Sequence, residues 1–149
     1  MPKYVVRSLD VKTLYRNLET NVLRRDTISK KLKKSCGKSL KDEDIVKILD
    51  QVKLLRTSRK SLARILSKLR EYESFEGFEE PLTTIIEYMY AVGVHVEKEI
   101  LLSVAELLGK HQSTKSYADE ILNIDIVEIE KLSEDLRTTY TVIRARLKT

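Results

Sequence analysis

Apolar residues recur every three or four positions along most of this chain, the spacing that places them on one side of an α-helix. The clearest stretch is residues 45–70, IVKILDQVKLLRTSRKSLARILSKLR. Its apolar seam follows heptad-like steps through Ile45, Ile48, Val52, Leu55, Leu62, Leu66 and Leu69. The seam is interrupted at residues 57–59, Thr-Ser-Arg. The pattern therefore predicts a long helix that packs against a core and either kinks or breaks at this interruption.

The same periodicity predicts helices over most of the remaining chain. They span about residues 10–34, 39–72, 81–93, 96–109, 117–122 and 125–147, with residues 1–8 as a tail or short edge. Three pairs have capping-box spacing and mark predicted helix starts: Ser39 with Asp42, Ser116 with Asp119, and Asp125 with Glu128. Gly37 marks the predicted end of the first helix. Together these features predict an all-α protein, a single-domain bundle of five or six helices, three of them long.

Composition supports one helical domain over residues 1–149. The chain has 149 residues, 34% of them charged, with only four Gly and two Pro. Trp is absent and Asn, Gln and Met are scarce, a bias that fits a thermophile. A single cysteine, Cys36, excludes an internal disulfide framework. With no signal-peptide pattern at the N-terminus and no apolar run of membrane-spanning length, we expect an intracellular, cytoplasmic protein.

Charge is divided unevenly along the chain. The net charge of +5 combines +12 in residues 1–72, −11 in residues 73–136 and +4 in residues 137–149. A basic part followed by an acidic part and a basic C-terminal turn has two interpretations. Either the basic part binds a polyanion, or the two parts neutralise each other.

The basic part contains two clusters of candidate ligand-binding cations. One cluster lies at the end of the first predicted helix and comprises Arg24, Arg25, Lys30, Lys31, Lys33 and Lys34. The other follows one face of residues 45–70 and comprises Arg56, Arg59, Lys60, Arg64 and Lys68. Like charges four residues apart destabilise an isolated helix, so we expect an anionic group to face them. Three interpretations stay open: a solvated face that pairs with the chain's own acids, a site for the backbone of RNA or DNA, and a site for an anionic membrane.

The sequence offers little that is typical of catalysis. His95 and His111 are too far apart to share one helical turn, and the acids of residues 119–135 look like first-turn acids and a solvated face. Cys36 lies among lysines, which we expect to lower the pKa of its thiol. No phosphate-binding glycine loop, nucleophile elbow or metal-ligand spacing occurs. We therefore predict a protein that is not an enzyme and has no cofactor, metal or small-molecule substrate.

Two stretches resemble known families. TSRKSLARILSKLRE (57–71) followed by PLTTIIEYMYAVGVHVEKEI (81–100) resembles the middle of the small helical subunits of type III CRISPR effector complexes. That resemblance implies a basic, non-catalytic subunit that contacts the backbone of RNA. IVKILDQVKLL (45–55), LSKLREYESF (66–75) and PLTTIIEYMY (81–90) are similar in order and spacing to the N-terminal helical module of transcription elongation factor S-II. That resemblance implies a module that binds other proteins.

These observations favour a non-catalytic, basic, helical subunit that binds nucleic-acid backbone, RNA rather than DNA, within a multi-subunit complex. Helical faces would bind the other protein subunits. Most tyrosines fall at core spacing, so we expect contacts with phosphates rather than base recognition. The alternative is a helical protein-interaction module or adaptor with no nucleic-acid contact.

Overall fold

The structure, a computed structural model, describes the backbone of residues 2–36 and 41–147 and the side chains of residues 11–36 and 41–147. Helices dominate this part of the chain, and it contains no β-strand. The α-helices are α1 (Pro2–Cys36), α2 (Asp42–Leu69), α3 (Glu79–Tyr88), α4 (Val94–Gly109), α5 (Lys115–Glu120) and α6 (Ile126–Leu147). The predicted all-α class is confirmed.

Two π-helical turns join four of these helices into longer rods. The turn Met89–Gly93 joins α3 to α4, and the turn Ile121–Asp125 joins α5 to α6. A π-turn accommodates an extra residue without ending the helix. Gly93 has helical dihedral angles, φ −56° and ψ −50°, so it does not terminate the rod. The described chain thus forms four continuous rods, α1, α2, α3–α4 and α5–α6, in place of the predicted five or six helices.

The first rod begins earlier than the apolar pattern indicates. Helix α1 starts at Pro2, so residue 10, where the apolar pattern predicted the start, lies inside the helix. The predicted stop at Gly37 and the predicted cap at Ser39 lie outside the described residues. At the start of α2, the backbone N–H of Lys41 donates to Asp44 Oδ2 at 3.2 Å. The carboxylate of Asp44 therefore helps to fix the first turn of α2.

Helix α2 passes through its polar interruption without a break. Ser58 and Arg59 occupy the seam and are only 6% and 3% exposed. The side-chain amide of Asn21 donates to the backbone carbonyl of Ser58 at 3.1 Å, which links α2 to α1. Because buried polar side chains continue the seam here, the helix stays packed against its neighbours and does not end at this point.

All four rods contribute to one hydrophobic core. Leu18, Leu66, Leu101 and Leu136, one from each rod, have no exposed surface. Phe75 in the α2–α3 connection is also buried in this core. The turn after it uses left-handed backbone at residues 76–77, with φ 47° and 88°. No helix in the described part of the chain combines the length and hydropathy needed to cross a membrane.

Candidate nucleic-acid interface

Three of the eleven candidate cations bind the chain's own carboxylates. Arg59 on α2 lies at the centre, because its guanidinium contacts acids from both the third and the fourth rod. Its Nη1 donates to Glu97 Oε2 at 3.0 Å, and its Nη2 donates to Asp125 Oδ1. Glu128 Oε1 lies 3.8 Å from the same Nη2. Arg59 is thus a structural cation that ties α2 to α4 and to the second π-turn.

Arg56, one turn earlier on α2, binds the fourth rod. Its Nε lies 3.0 and 3.1 Å from the two oxygens of Asp125, and its Nη2 donates to Asp125 Oδ2 at 2.7 Å. Its Nη1 donates to Glu120 Oε1 at 2.6 Å. The hydrogen bonds to Asp125 raise the pKa of Arg56, and the charge of Asp125 adds to this while partial burial opposes it. The fork geometry of arginine suits this bidentate contact.

Arg25 connects α1 to the same acids. It is 5% exposed and donates through Nη2 to Glu97 Oε1. Burial lowers the pKa of Arg25, although the charge of Glu97 opposes that shift. We call the set formed by these contacts the buried ion cluster: Arg25, Arg56, Arg59, Glu97, Glu120, Asp125 and Glu128. Each arginine of this cluster therefore has a carboxylate partner within the protein.

The buried ion cluster corrects two sequence-based expectations. Asp125 does not cap a helix, since it lies in a π-turn with no exposed surface. The acids of residues 119–135 are not all solvated, because Glu120, Asp125 and Glu128 bind arginines of α2. The fourth rod begins at Lys115, so Ser116 is not an N-cap either.

Glu97 was not among the residues predicted to form a site, although the sequence contains a signal that it is buried. It falls at core spacing between Val94 and Leu101 on α4, and it is 1% exposed. A charge at such a position needs a buried partner of opposite sign. Arg25 gave the matching signal, since it interrupts the apolar pattern of α1. Which acid pairs with which arginine depends on contacts between distant segments, so spacing alone does not reveal it.

The other eight candidate cations remain exposed on the hairpin formed by α1 and α2. They are Arg24, Lys30, Lys31, Lys33, Lys34, Lys60, Arg64 and Lys68. None of them forms an ion pair within the described part of the chain. Their charges are therefore free to face an external anion.

Four of these eight cations line a groove between α1 and α2. The groove has a volume of about 940 Å³, and its cations are Arg24 and Lys31 from α1 with Arg64 and Lys68 from α2. No carboxylate of a described residue lines it. All of its lining residues fall within residues 14–31 and 51–68, so α3–α6 do not cover it. At 1.5 Å per residue, the lined part of α1 is about 26 Å long.

Apolar and neutral polar side chains occupy the groove between these cations. Leu23 and Leu54 both line it and are 63% and 50% exposed. Asn17, Thr20 and Ser61 also line it and have no hydrogen-bond partner in the described part of the chain. The groove therefore offers positive charge, hydrogen-bonding groups and apolar surface to a ligand.

Three residues were considered as candidates for catalysis: His95, His111 and Cys36. His95 and His111 are exposed on different elements. Burial raises the pKa of the Cys36 thiol, opposite to the lowering expected from its neighbouring lysines. No group of three or more potential metal-binding side chains comes together among the residues the structure describes.

Comparison with known proteins adds no relative. No protein-family model matches the chain, and neither a curated protein nor a solved structure matches it. The function therefore has to be argued from the groove and the charges around it.

Proposed function

We propose that this chain is a non-catalytic subunit that binds nucleic-acid backbone through the exposed cations of the α1–α2 hairpin. The observation that carries the proposal is the division of the basic residues into two groups. Arg25, Arg56 and Arg59 are bound by internal acids, whereas eight cations of the same two helices have no ion-pair partner in the described residues. Phosphates are the polyanionic groups that such an array binds best.

The internal pairing matters because the acidic part of the chain could have neutralised the whole hairpin. Among the described residues, it pairs with Arg25 on α1 and with Arg56 and Arg59 on the inner face of α2. The outer face, with Arg64 and Lys68, borders a groove that no carboxylate of a described residue lines. Repulsion among these like charges is relieved when an anion binds, which favours binding at low salt.

The resemblance to the small subunits of type III CRISPR complexes supports RNA over DNA as the polymer. It also supports a setting in which other protein subunits pack against the helical faces. Exposed apolar side chains on the third and fourth rods, such as Val92, Val96 and Val127, offer surface for such packing.

The test is binding of labelled RNA and of single-stranded DNA, followed by fluorescence anisotropy at low salt. The variant Arg24→Glu, Arg64→Glu, Lys68→Glu removes three groove cations and should weaken binding by about 100-fold or more, because each lost phosphate contact with a single strand costs about fivefold near 0.1 M salt. All three residues are exposed, so the fold should be unaffected.

A matched control applies the same charge change elsewhere. Lys131→Glu, Arg137→Glu, Arg144→Glu alters three exposed cations of α6, away from the groove, and should retain most of the affinity. Failure of the wild-type protein to retain any polynucleotide at low salt would refute the proposal. Recovery of the same protein partners before and after nuclease treatment, with no bound nucleic acid, would instead support the protein-interaction module.

A further inference from the structure

We propose that the α1–α2 groove takes a single strand of nucleic acid, with its phosphates on the groove cations and its bases against Leu23 and Leu54. This inference rests on the proposed function and specifies the form of the polymer. Its first support is the shape of the groove. The hydrogen bond between Asn21 and Ser58, 3.1 Å long, joins the two helices at the groove floor.

The groove is too narrow to admit a duplex. Helices in direct contact have axes about 8–10 Å apart, which limits the width of the space between their outer side chains. A B-form duplex has a major groove that alone is about 12 Å wide, so the whole double helix can only rest on the rims. A single strand is thin enough to lie along the floor.

The positions of the four cations suit a strand that follows the groove. The Asn21–Ser58 contact sets the antiparallel register of the two helices. From that level, helical rise places Arg24 about 4.5 Å and Lys31 about 15 Å toward the C-terminal end of α1. Arg64 and Lys68 lie about 9 Å and about 15 Å from the same level in the opposite direction. An extended strand would therefore meet the four cations one after another over about 30 Å.

The apolar side chains discriminate between the two forms of nucleic acid. Leu23 and Leu54 lie on opposite helices within about 3 Å of the same level, beside Arg24. Their exposed surfaces, 63% and 50%, gain from contact with an apolar partner. A single strand presents base faces that can cover them, whereas a duplex presents charged backbone and keeps its base faces stacked inside.

Neutral polar side chains beside the leucines can form hydrogen bonds with the edges of the bases. Asn17, Thr20 and Ser61 line the groove with unoccupied hydrogen-bonding capacity in the described part of the chain. No aromatic side chain lines the groove among the described residues. The contacts are therefore expected to tolerate different bases, with aliphatic packing in place of aromatic stacking.

The experiment compares a labelled single-stranded oligonucleotide that spans the groove with a duplex of the same length, at one fixed salt concentration. The wild-type protein should bind the single strand at least about tenfold more tightly. The variant Leu23→Ser, Leu54→Ser keeps every cation and should lose about tenfold in single-strand affinity, while its weaker duplex binding stays unchanged.

The matched control replaces two exposed leucines outside the groove, Leu102→Ser and Leu122→Ser, and should bind as the wild type does. Equal affinity for single strand and duplex, or full single-strand affinity in the Leu23→Ser, Leu54→Ser variant, would overturn this inference and leave the proposed function standing. Absence of binding to either polymer would overturn both.

Discussion

Two arginines five residues apart on α2 have opposite environments. Arg59 is 3% exposed and binds Glu97 and Asp125, whereas Arg64 is exposed and lines the groove. In an isolated helix these side chains would point in different directions, and the surrounding rods decide their environment. The residue type alone therefore does not separate an arginine that is buried in an ion pair from one that stays exposed.

Replacing Arg59 should destabilise the fold far more than replacing Arg64. The substitution Arg59→Ala leaves Glu97 and Asp125 buried with fewer partners, which costs about 3–5 kcal/mol in the free energy of unfolding. The matched substitution Arg64→Ala should change it by about 0.5 kcal/mol or less, since Arg64 is exposed. Urea denaturation followed by circular dichroism measures both values, and equal losses would contradict the assigned roles.

The sequence predicted these roles only in part. The clustering of cations on two consecutive helices was visible, and so was the interruption of the apolar seam at Ser58 and Arg59. That interruption was interpreted as a kink or a break in the helix, although the helix is continuous and Arg59 belongs to the buried ion cluster. Local spacing shows that a charge lies on a core face, but its partner, here 38 or 66 residues away, is set by tertiary packing.

At the scale of elements, the two π-turns explain why the number of helices was overestimated. Gly93 and Asp125 were each interpreted as helix boundaries, because glycine and capping residues are common there. In the structure both residues lie in π-turns that continue the rod. The second turn also contains Asp125, the acid that binds Arg56 and Arg59, so an irregular turn coincides with the centre of the ion cluster.

The true boundary between the third and fourth rods depends on Thr114. Its hydroxyl donates to the carbonyl of Leu108 at 2.5 Å, and its side chain is buried. This bond satisfies a carbonyl at the end of α4 that has no helical partner. A single side chain thus closes one rod immediately before the next begins at Lys115.

We expect Thr114→Val to lower the melting temperature by about 2–4 °C, because the change keeps the shape but removes a hydrogen bond worth about 1 kcal/mol. Thr138→Val is the control, since Thr138 is exposed on α6 and has no hydrogen bond from its hydroxyl in the described residues. Thermal unfolding by circular dichroism gives both values. An unchanged melting temperature for Thr114→Val would show that the bond contributes nothing to the boundary.

At the scale of the whole molecule, the acidic part pairs with the basic part at the buried ion cluster. Residues 1–72 carry a net charge of +12 and residues 73–136 carry −11. The buried ion cluster joins the two parts through Arg25, Arg56 and Arg59. The outer face of the α1–α2 hairpin keeps its positive charge. The uneven distribution of charge along the sequence therefore becomes an uneven distribution of charge over the surface.

The salt dependence of nucleic-acid binding tests the central proposal most directly. If the four groove cations neutralise phosphates of a single strand, log affinity should fall with log salt at a slope of about −3, steeper if the other hairpin cations take part. The variant Arg24→Glu, Arg64→Glu, Lys68→Glu should have a slope shallower by about 2, while the α6 control keeps the wild-type slope. A wild-type slope near zero, or an unchanged slope in the groove variant, would contradict binding of phosphates by this face.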